Sequence, residues 1–131
     1  MIGLDTNVLV RHIMQDDSKQ AALASALIGK LTNQNPGFIT VVSIIELIWV
    51  LQTCFELSRA QLGEVLDRIL LASNLKLEQA PLVAAAIKLY RTGNCDFADC
   101  LIAKISQSAG CEKIITFDRN AAKTAGMTLI S

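Results

Sequence analysis

The sequence predicts an α/β fold: a three-layer sandwich in which helices cover both faces of a central parallel sheet. Short apolar segments alternate with segments of helical periodicity along the 131 residues. This alternation is typical of parallel strands that are joined by helices and buried on both faces. The length suits one domain with a single core, over residues 1–131.

The elements of the first half begin with a strand at "MIGL", which we expect to be buried. Ser18 is expected to cap a helix to about Leu31, because leucines recur there at helical spacing. The turn Asn33–Gly37 leads into a strand formed by "FIT" and "VV". The segment "SIIELIWVLQTCF" then predicts a helix that is apolar nearly all round, and therefore central or at an interface.

The elements of the second half begin with a helix for which Ser58 and Gln61 suit a capping box. "LKLEQ" alternates and predicts an edge strand, and Pro81 starts a helix that ends near Tyr90. "DFADCLIAKISQSAG" predicts a helix closed by Gly110. "KIITF" is expected to be a buried strand, "DRNAAKTA" a short helix and "MTLI" a last strand.

Composition limits the classes of protein to consider. Twelve Lys and Arg balance twelve Asp and Glu, so no global basic field indicates a nucleic-acid binder and any polyanion site must be local. The 52% hydrophobic content predicts a large core or a face that is buried against a partner. No signal-peptide pattern is present, and the longest apolar run, Val41–Leu51, is too short to span a membrane. We therefore expect a cytoplasmic protein.

The four cysteines and the single histidine, His12, offer no recurrent zinc-ligand spacing. Free buried thiols in a reducing compartment are the expected state of the cysteines.

Five acids lie where predicted strands give way to helices. Asp5 follows the first strand, Glu46 lies early in the helix after the second, and Asp118 follows "KIITF". Asp96 and Asp99 are one turn apart at the start of a further helix. Because ligands of parallel α/β sheets bind beyond the carboxyl ends of the strands, these acids share one expected location.

Each acid also has a purely structural interpretation. Asp5, Asp96 and Asp118 suit helix N-caps, Glu46 suits a capping box with the serine three residues before it, and Asp99 suits a first-turn acid. The apolar neighbours of Glu46 and Asp99 argue against this, because a buried unpaired carboxylate is costly. Converging carboxylates would be neutralised by a divalent cation, and an all-oxygen site favours Mg²⁺ or Mn²⁺ over zinc. The adjacent helix N-termini would help to keep Asp99 and Asp118 ionised.

The segments "DTN", "SIIEL", "DFADCLIA" and "TFD" resemble, in this order, four motifs of the PIN domain. Their order and spacing resemble the VapC-like toxin ribonucleases of bacterial and archaeal toxin–antitoxin modules. This resemblance implies a five-stranded parallel sheet, metal-dependent endoribonuclease activity, frequent homodimerisation and inhibition by a small cognate antitoxin. It also implies an acidic quartet made of Asp5, Glu46, Asp99 and Asp118.

In the mechanism that this implies, Asp5 and Asp99 hold Mg²⁺ directly, while Glu46 and Asp118 complete its shell or hydrogen-bond to it. A metal-bound water then attacks the scissile phosphorus.

Thr6, Asn7 and Thr116 are expected to orient these carboxylates, with ordinary turn and capping chemistry as the alternative. Asp96 is interpreted mainly as an N-cap, with a water-mediated or second-shell role toward the metal as the alternative.

The basic candidates for RNA phosphate contacts are Arg11, Arg91 and Arg119, with solvated surface charge as the alternative. His12 is disfavoured as a general base because the metal already supplies the nucleophile. Dimerisation is suggested by the apolar helices around Trp49 and Leu62–Leu71, for which core packing is the competing explanation.

Two rival functions remain. A phosphoaspartyl phosphatase would use Asp5 as nucleophile but needs a second Asp two positions later, where Asn7 stands; a receiver domain places its phosphoacceptor after the third strand and fits worse. A PIN-like fold that only binds RNA or protein is the non-enzymatic alternative.

Overall fold

The computed structural model describes residues 1–130 and divides the chain into two compact units, Met1–Glu78 and Gln79–Ser131. The last residue of the predicted domain, Ser131, lies outside the described residues. Each unit contains its own small sheet and its own helices. The expectation of one domain over residues 1–131 stays a prediction.

The N-terminal unit has a three-stranded parallel sheet with strand order β1-β2-β3. Its elements are, in chain order, β1 (Ile2–Gly3), α1 (Thr6–Met14), α2 (Ser18–Gly29), β2 (Gly37–Ile39), α3 (Val41–Thr53), α4 (Arg59–Leu71) and β3 (Leu75–Leu77). β3 lies at the edge, which confirms the prediction for "LKLEQ".

The C-terminal unit has a two-stranded parallel sheet in which Ile115 pairs with Thr128. Its described elements are α5 (Ala80–Thr92), α6 (Phe97–Ser108), β4 (Ile115–Thr116), α7 (Arg119–Thr124) and β5 (Thr128–Leu129).

The predicted five-stranded sheet is wrong. Each of the five predicted strands forms at least in part and pairs in parallel, but within residues 1–130 they build one sheet of three and one of two. β1, β4 and β5 have only two residues each. So short a strand offers few backbone groups for pairing, and each of these strands forms a single ladder.

The predicted burial of the strands "MIGL" and "KIITF" is also largely wrong. In the first, Leu4 is buried at 5% exposure, whereas Ile2 is 40% exposed. In the second, Ile115 is 54% and Phe117 81% exposed. β1 and β4 each pair with one neighbouring strand, so their other edge is not covered by the sheet to which they belong.

One close approach fixes the position of β1 on β2. A Cβ atom at Gly37 would lie 2.7 Å from Cδ1 of Leu4 and 2.8 Å from Cδ1 of Leu31, closer than carbon atoms pack. Glycine therefore lets these two leucine side chains pack directly over the backbone of β2.

The starts of α2 and α3 differ from the prediction. Asp17, not Ser18, caps α2, and its Oδ1 accepts from the amide of Gln20 at 2.9 Å. The "VV" segment belongs to α3 rather than to a strand, because Thr40 is the N-cap, and its hydroxyl oxygen accepts from the amide of Ser43.

The serine at position 43 is therefore not the cap of α3, and the predicted capping box with Glu46 is wrong. The physical reason lies at the end of β3, where Oε1 of Glu78 accepts from the amide of Val41 at 2.9 Å. This bond satisfies the first amide of α3 from another element and fixes the earlier start. The capping box of Ser58 and Gln61 on α4 is confirmed.

The apolar helices α3 and α4 contribute mainly to the core. Leu47 and Leu51 of α3 and Leu62 and Leu66 of α4 are at most 1% exposed. Core packing thus accounts for much of the apolar excess, although Trp49 on α3 is 62% exposed. Among the described residues, no helix is long and apolar enough to cross a membrane.

Candidate active site

Asp5 combines a structural role with an exposed carboxylate. It follows the buried Leu4 and is the N-cap of α1, where its Oδ1 accepts from the amide of Thr6 at 2.8 Å. The residue remains exposed at the end of β1. The N-cap interpretation is therefore correct, and it leaves the carboxylate open to a ligand.

Glu46 lies against the start of α1. The hydroxyl of Thr6, which is only 6% exposed, donates to Oε1 of Glu46 at 3.0 Å. Glu46 itself is exposed, which corrects the expectation that its apolar neighbours enclose it. Its side chain points away from the buried face of α3, so its charge needs no buried partner. Asn7, the third residue of "DTN", is also exposed.

In the C-terminal unit, Asp96 and Asp99 lie at the start of α6. Asp96 occupies the N-cap position, but its side chain makes no capping hydrogen bond. The capping interpretation thus holds for the backbone and not for the carboxylate. Asp99 lies in the first turn and is half-buried.

The pKa of Asp99 is raised above its ordinary value, first by burial and then by the negative charges of Asp96 and Asp118. Desolvation and these two negative charges favour the neutral form and so oppose the expected effect of the helix N-terminus, which favours the ionised form. Three acids of this unit therefore interact electrostatically.

Asp118 is the N-cap of α7. Its Oδ1 accepts from the amides of Asn120 at 2.8 Å and Ala121 at 3.1 Å. The hydroxyl oxygen of Thr116 accepts from the amide of Asp118 at 3.0 Å, which orients the turn before the helix. Both capping bonds use one carboxylate oxygen, so the other is left for further contacts.

The basic candidates have different surroundings. Arg11 forms an ion pair with Asp16 at 2.9 Å and donates from Nε to Gln20. Arg91 and Arg119 are exposed. Nδ1 of His12 is hydrogen-bonded to the hydroxyl of Ser25 at 2.8 Å, which gives this histidine a structural partner.

One contact of the acidic region was missed by the sequence analysis. The thiol of Cys95 donates to the carbonyl of Asn120 at 3.5 Å and is hydrogen-bonded to the hydroxyl of Thr124. The sequence predicted only buried free thiols, which is confirmed for Cys95 and Cys100 and wrong for the exposed Cys54 and Cys111. Neither periodicity nor motif spacing connects positions 95 and 124.

The donors on these acids are carboxylate oxygens, which suit a hard cation such as Mg²⁺ or Mn²⁺. The crowding of Asp96, Asp99 and Asp118 gives such a cation a favourable electrostatic environment. Within residues 1–130, no group of three or more His, Cys, Asp or Glu side chains is already arranged to hold a metal ion.

A sequence profile of the PIN domain matches residues 2–127. The chain belongs to the PIN domain family. This membership confirms the family that the four motifs resemble. It argues against the alternative of a phosphoaspartyl phosphatase. The chain is also similar to a VapC ribonuclease of Aquifex aeolicus (strain VF5), with 26% identity over 126 residues, covering 96% of this chain and 93% of that protein.

Proposed function

We propose that this PIN-domain protein is a metal-dependent endoribonuclease and the toxin of a toxin–antitoxin pair. Its similarity to a VapC ribonuclease along nearly the whole of both chains supports the activity. The observation that supports the metal dependence is the crowded environment of Asp99: burial raises the pKa of this carboxyl, and repulsion by Asp96 and Asp118 raises it further. A bound divalent cation would remove that repulsion.

The proposed acids are those of the four motifs: Asp5, Glu46, Asp99 and Asp118. Asp5 and Asp99 are the direct ligands of Mg²⁺ or Mn²⁺, and the other two complete its shell. When bound, the cation supplies an activated water and neutralises charge on the phosphate.

Other residues of the chain orient these acids. The hydroxyl of Thr6 fixes Glu46, and that of Thr116 fixes the turn that carries Asp118. Asn7 and Asp96 are exposed and lie two and three positions from Asp5 and Asp99 in the sequence. Asn7 would help to orient the carboxylates, and Asp96 would have a water-mediated role toward the metal.

RNA contacts have to be local because the chain has no net charge. Arg119 is the strongest candidate, since it is exposed and adjacent to Asp118. Arg91 is exposed near the start of α6, and Arg11 would have to exchange its ion pair with Asp16 for a phosphate.

The proposed partners are a small cognate antitoxin and a second copy of the chain. Val42 and Trp49 lie two helical turns apart on α3 and are 66% and 62% exposed, which supports α3 as the dimer surface. A toxin that cleaves cellular RNA would act in the cytoplasm.

The test is cleavage of a panel of single-stranded and structured RNAs with Mg²⁺, with Mn²⁺ and with EDTA. Cleavage is expected only with metal and is expected to be lost in Asp5→Asn and Asp99→Asn. Asp17→Asn is the matched control, because Asp17 also caps a helix and asparagine caps equally well. Cleavage in EDTA, or full activity of Asp5→Asn, would contradict the proposal.

Growth arrest on expression gives an independent readout. The wild type is expected to arrest growth, and Asp5→Asn is not. RNA that is bound but stays intact in the presence of either metal would favour the non-catalytic PIN-like module instead.

A further inference from the structure

The loop between α5 and α6 packs against α7. A Cβ atom at Gly93 would lie 3.5 Å from Cβ of Thr124, which places the loop backbone in contact with the last residue of α7. Two residues later, Cys95 is 2% exposed, and its thiol is bonded to Asn120 and Thr124. Loop and helix thus meet at two successive points.

Hydrogen bonds link Cys95, Asn120 and Thr124 in pairs. The hydroxyl of Thr124 donates to the carbonyl of Asn120 at 2.8 Å within α7. The thiol of Cys95 donates to the same carbonyl and is hydrogen-bonded to the Thr124 hydroxyl, a contact in which either group can be the donor. The thiol therefore joins the loop to two residues of α7.

The two ends of this contact lie beside carboxylates. Cys95 directly precedes Asp96 at the start of α6. The amide of Asn120 donates to Oδ1 of Asp118, and the carbonyl of the same residue accepts from Cys95. A short chain of bonds thus runs from Asp118 through Asn120 and Cys95 to Asp96.

We propose that Cys95 is a positioning residue: by binding Asn120 and Thr124 it fixes the start of α6 against α7 and so sets the separation of Asp99 from Asp118. This inference rests on the proposed function, since it assigns a role toward the acids of that reaction. Like-charged carboxylates repel each other, and without metal they would move apart unless the backbone that carries them is held. Cys95 supplies that restraint through its bonds to α7 and is not itself proposed as a metal ligand.

The test compares Cys95→Ala, Cys95→Ser and Thr124→Val with the wild-type chain. Serine keeps a donor at position 95, and valine removes the hydroxyl of Thr124 at nearly constant volume. Thr92→Val is the matched control, because Thr92 makes the same backbone bond within its own helix, to Lys88 at 3.2 Å. Two quantities are measured: amide hydrogen exchange at positions 120 and 121, and Mn²⁺ affinity by calorimetry.

Cys95→Ala and Thr124→Val are expected to speed exchange of both amides and to weaken Mn²⁺ binding by about 10-fold, the size typical of groups that orient metal ligands. Cys95→Ser is expected to keep part of the amide protection and part of the Mn²⁺ affinity. Thr92→Val is expected to change neither the exchange rates nor the affinity. A lower melting temperature with unchanged exchange and unchanged Mn²⁺ affinity would show a merely structural role and overturn the proposal.

The exchange measurement separates this inference from the proposed function. If the wild type binds no Mn²⁺ and cleaves no RNA, the proposed function fails, and with it the role of Cys95 toward metal ligands. Faster exchange in Cys95→Ala would then still show that the thiol restrains Asn120 and Ala121. If the wild type is an active ribonuclease, and Cys95→Ala and Thr124→Val match it in amide exchange and in Mn²⁺ affinity, only the inference about Cys95 fails.

Discussion

Thr6 is bonded to two acids at once: its amide donates to Oδ1 of Asp5 at 2.8 Å, and its hydroxyl donates to Oε1 of Glu46 at 3.0 Å. Its side chain is nearly buried, whereas both carboxylates are exposed. A buried threonine has little rotational freedom, so it holds Glu46 in a defined direction relative to the start of α1. The motif "DTN" therefore orients a second acid as well as supplying the first.

Thr6→Val should separate this orienting role from stability. Valine fills the same volume but cannot donate to Glu46, which stays hydrated because it is exposed. We expect a loss of about 10- to 100-fold in metal affinity or cleavage rate, and only about 1 kcal/mol in the free energy of unfolding. Metal titration and urea denaturation measure the two effects.

Thr6→Ser keeps the hydroxyl and should retain most of the activity. Thr53→Val is the control, because its hydroxyl bonds to the carbonyl of Trp49 within α3 and touches no acid. Equal loss in Thr6→Val and Thr6→Ser would point to packing rather than to the hydrogen bond.

Asp99→Asn should stabilise the metal-free protein at neutral pH. Because the pKa of Asp99 is raised in the folded state, its ionisation costs stability at every pH above that folded pKa. The cost disappears as the pH falls through the folded pKa toward the ordinary value of about 3.9. The greater stability of Asp99→Asn over the wild type should therefore be largest at pH 7 and decrease as the pH is lowered.

Thermal unfolding in EDTA between pH 7 and pH 4 measures this difference, with Asp17→Asn as the control that should show no such trend. With saturating Mn²⁺ at pH 7 the wild type should instead be more stable than Asp99→Asn, because only the wild type keeps the carboxylate ligand. A variant that is less stable than the wild type in EDTA at pH 7 would refute the proposed repulsion.

Arg119→Gln should weaken RNA binding and reduce its salt dependence. Each phosphate contact on a single strand contributes a slope of about 0.7 in the logarithm of affinity against the logarithm of salt concentration. Loss of one contact should lower the slope by that amount. RNA binding is measured without metal and with Asp5→Asn present in every protein compared, so that the RNA is expected to stay intact.

Arg11→Gln serves as the comparison, because Arg11 is already paired with Asp16. Its substitution should change the slope less than that of Arg119. An unchanged slope in Arg119→Gln would remove this residue from the RNA-binding surface.

Trp49→Ser should convert the proposed dimer into a monomer. Trp49 is the single tryptophan of the chain and is 62% exposed. Its fluorescence should shift to shorter wavelength as the wild-type concentration rises and the side chain becomes buried. Light scattering gives the mass directly, with Leu23→Ser, an equally exposed leucine on α2, as the control. A dimeric Trp49→Ser would exclude α3 as the interface.

Local sequence signals predicted the order of helices and strands because each is written in a few adjacent residues. The capping box of Ser58 and Gln61 needs only four positions, and it forms as predicted. The start of α3 was misplaced because it depends on Glu78, which lies 37 positions from the amide that it binds. Such a bond leaves no periodic trace in the sequence.

The acids of the candidate site were predicted from their motifs, but their environments were not. Hydrophobic neighbours in the sequence suggested that Glu46 is buried, whereas the helical period turns it to solvent. The pKa of Asp99 is raised first by burial and then by the charges of Asp96 and of Asp118, which is the N-cap of another helix. Charges that meet only in the folded unit are not visible as neighbours along the chain.

Gly37 carries no functional group, yet a methyl group there would collide with the side chain that directly precedes Asp5. The space that this hydrogen atom leaves open lets the side chain of Leu4, the residue before that carboxylate, pack against the backbone of β2. An alanine at position 37 would push the side chains of Leu4 and Leu31 away from β2. The chain would still carry all its acids, but Asp5 would be displaced together with Leu4. Loss of activity in this protein can therefore originate at a residue that takes no part in the chemistry.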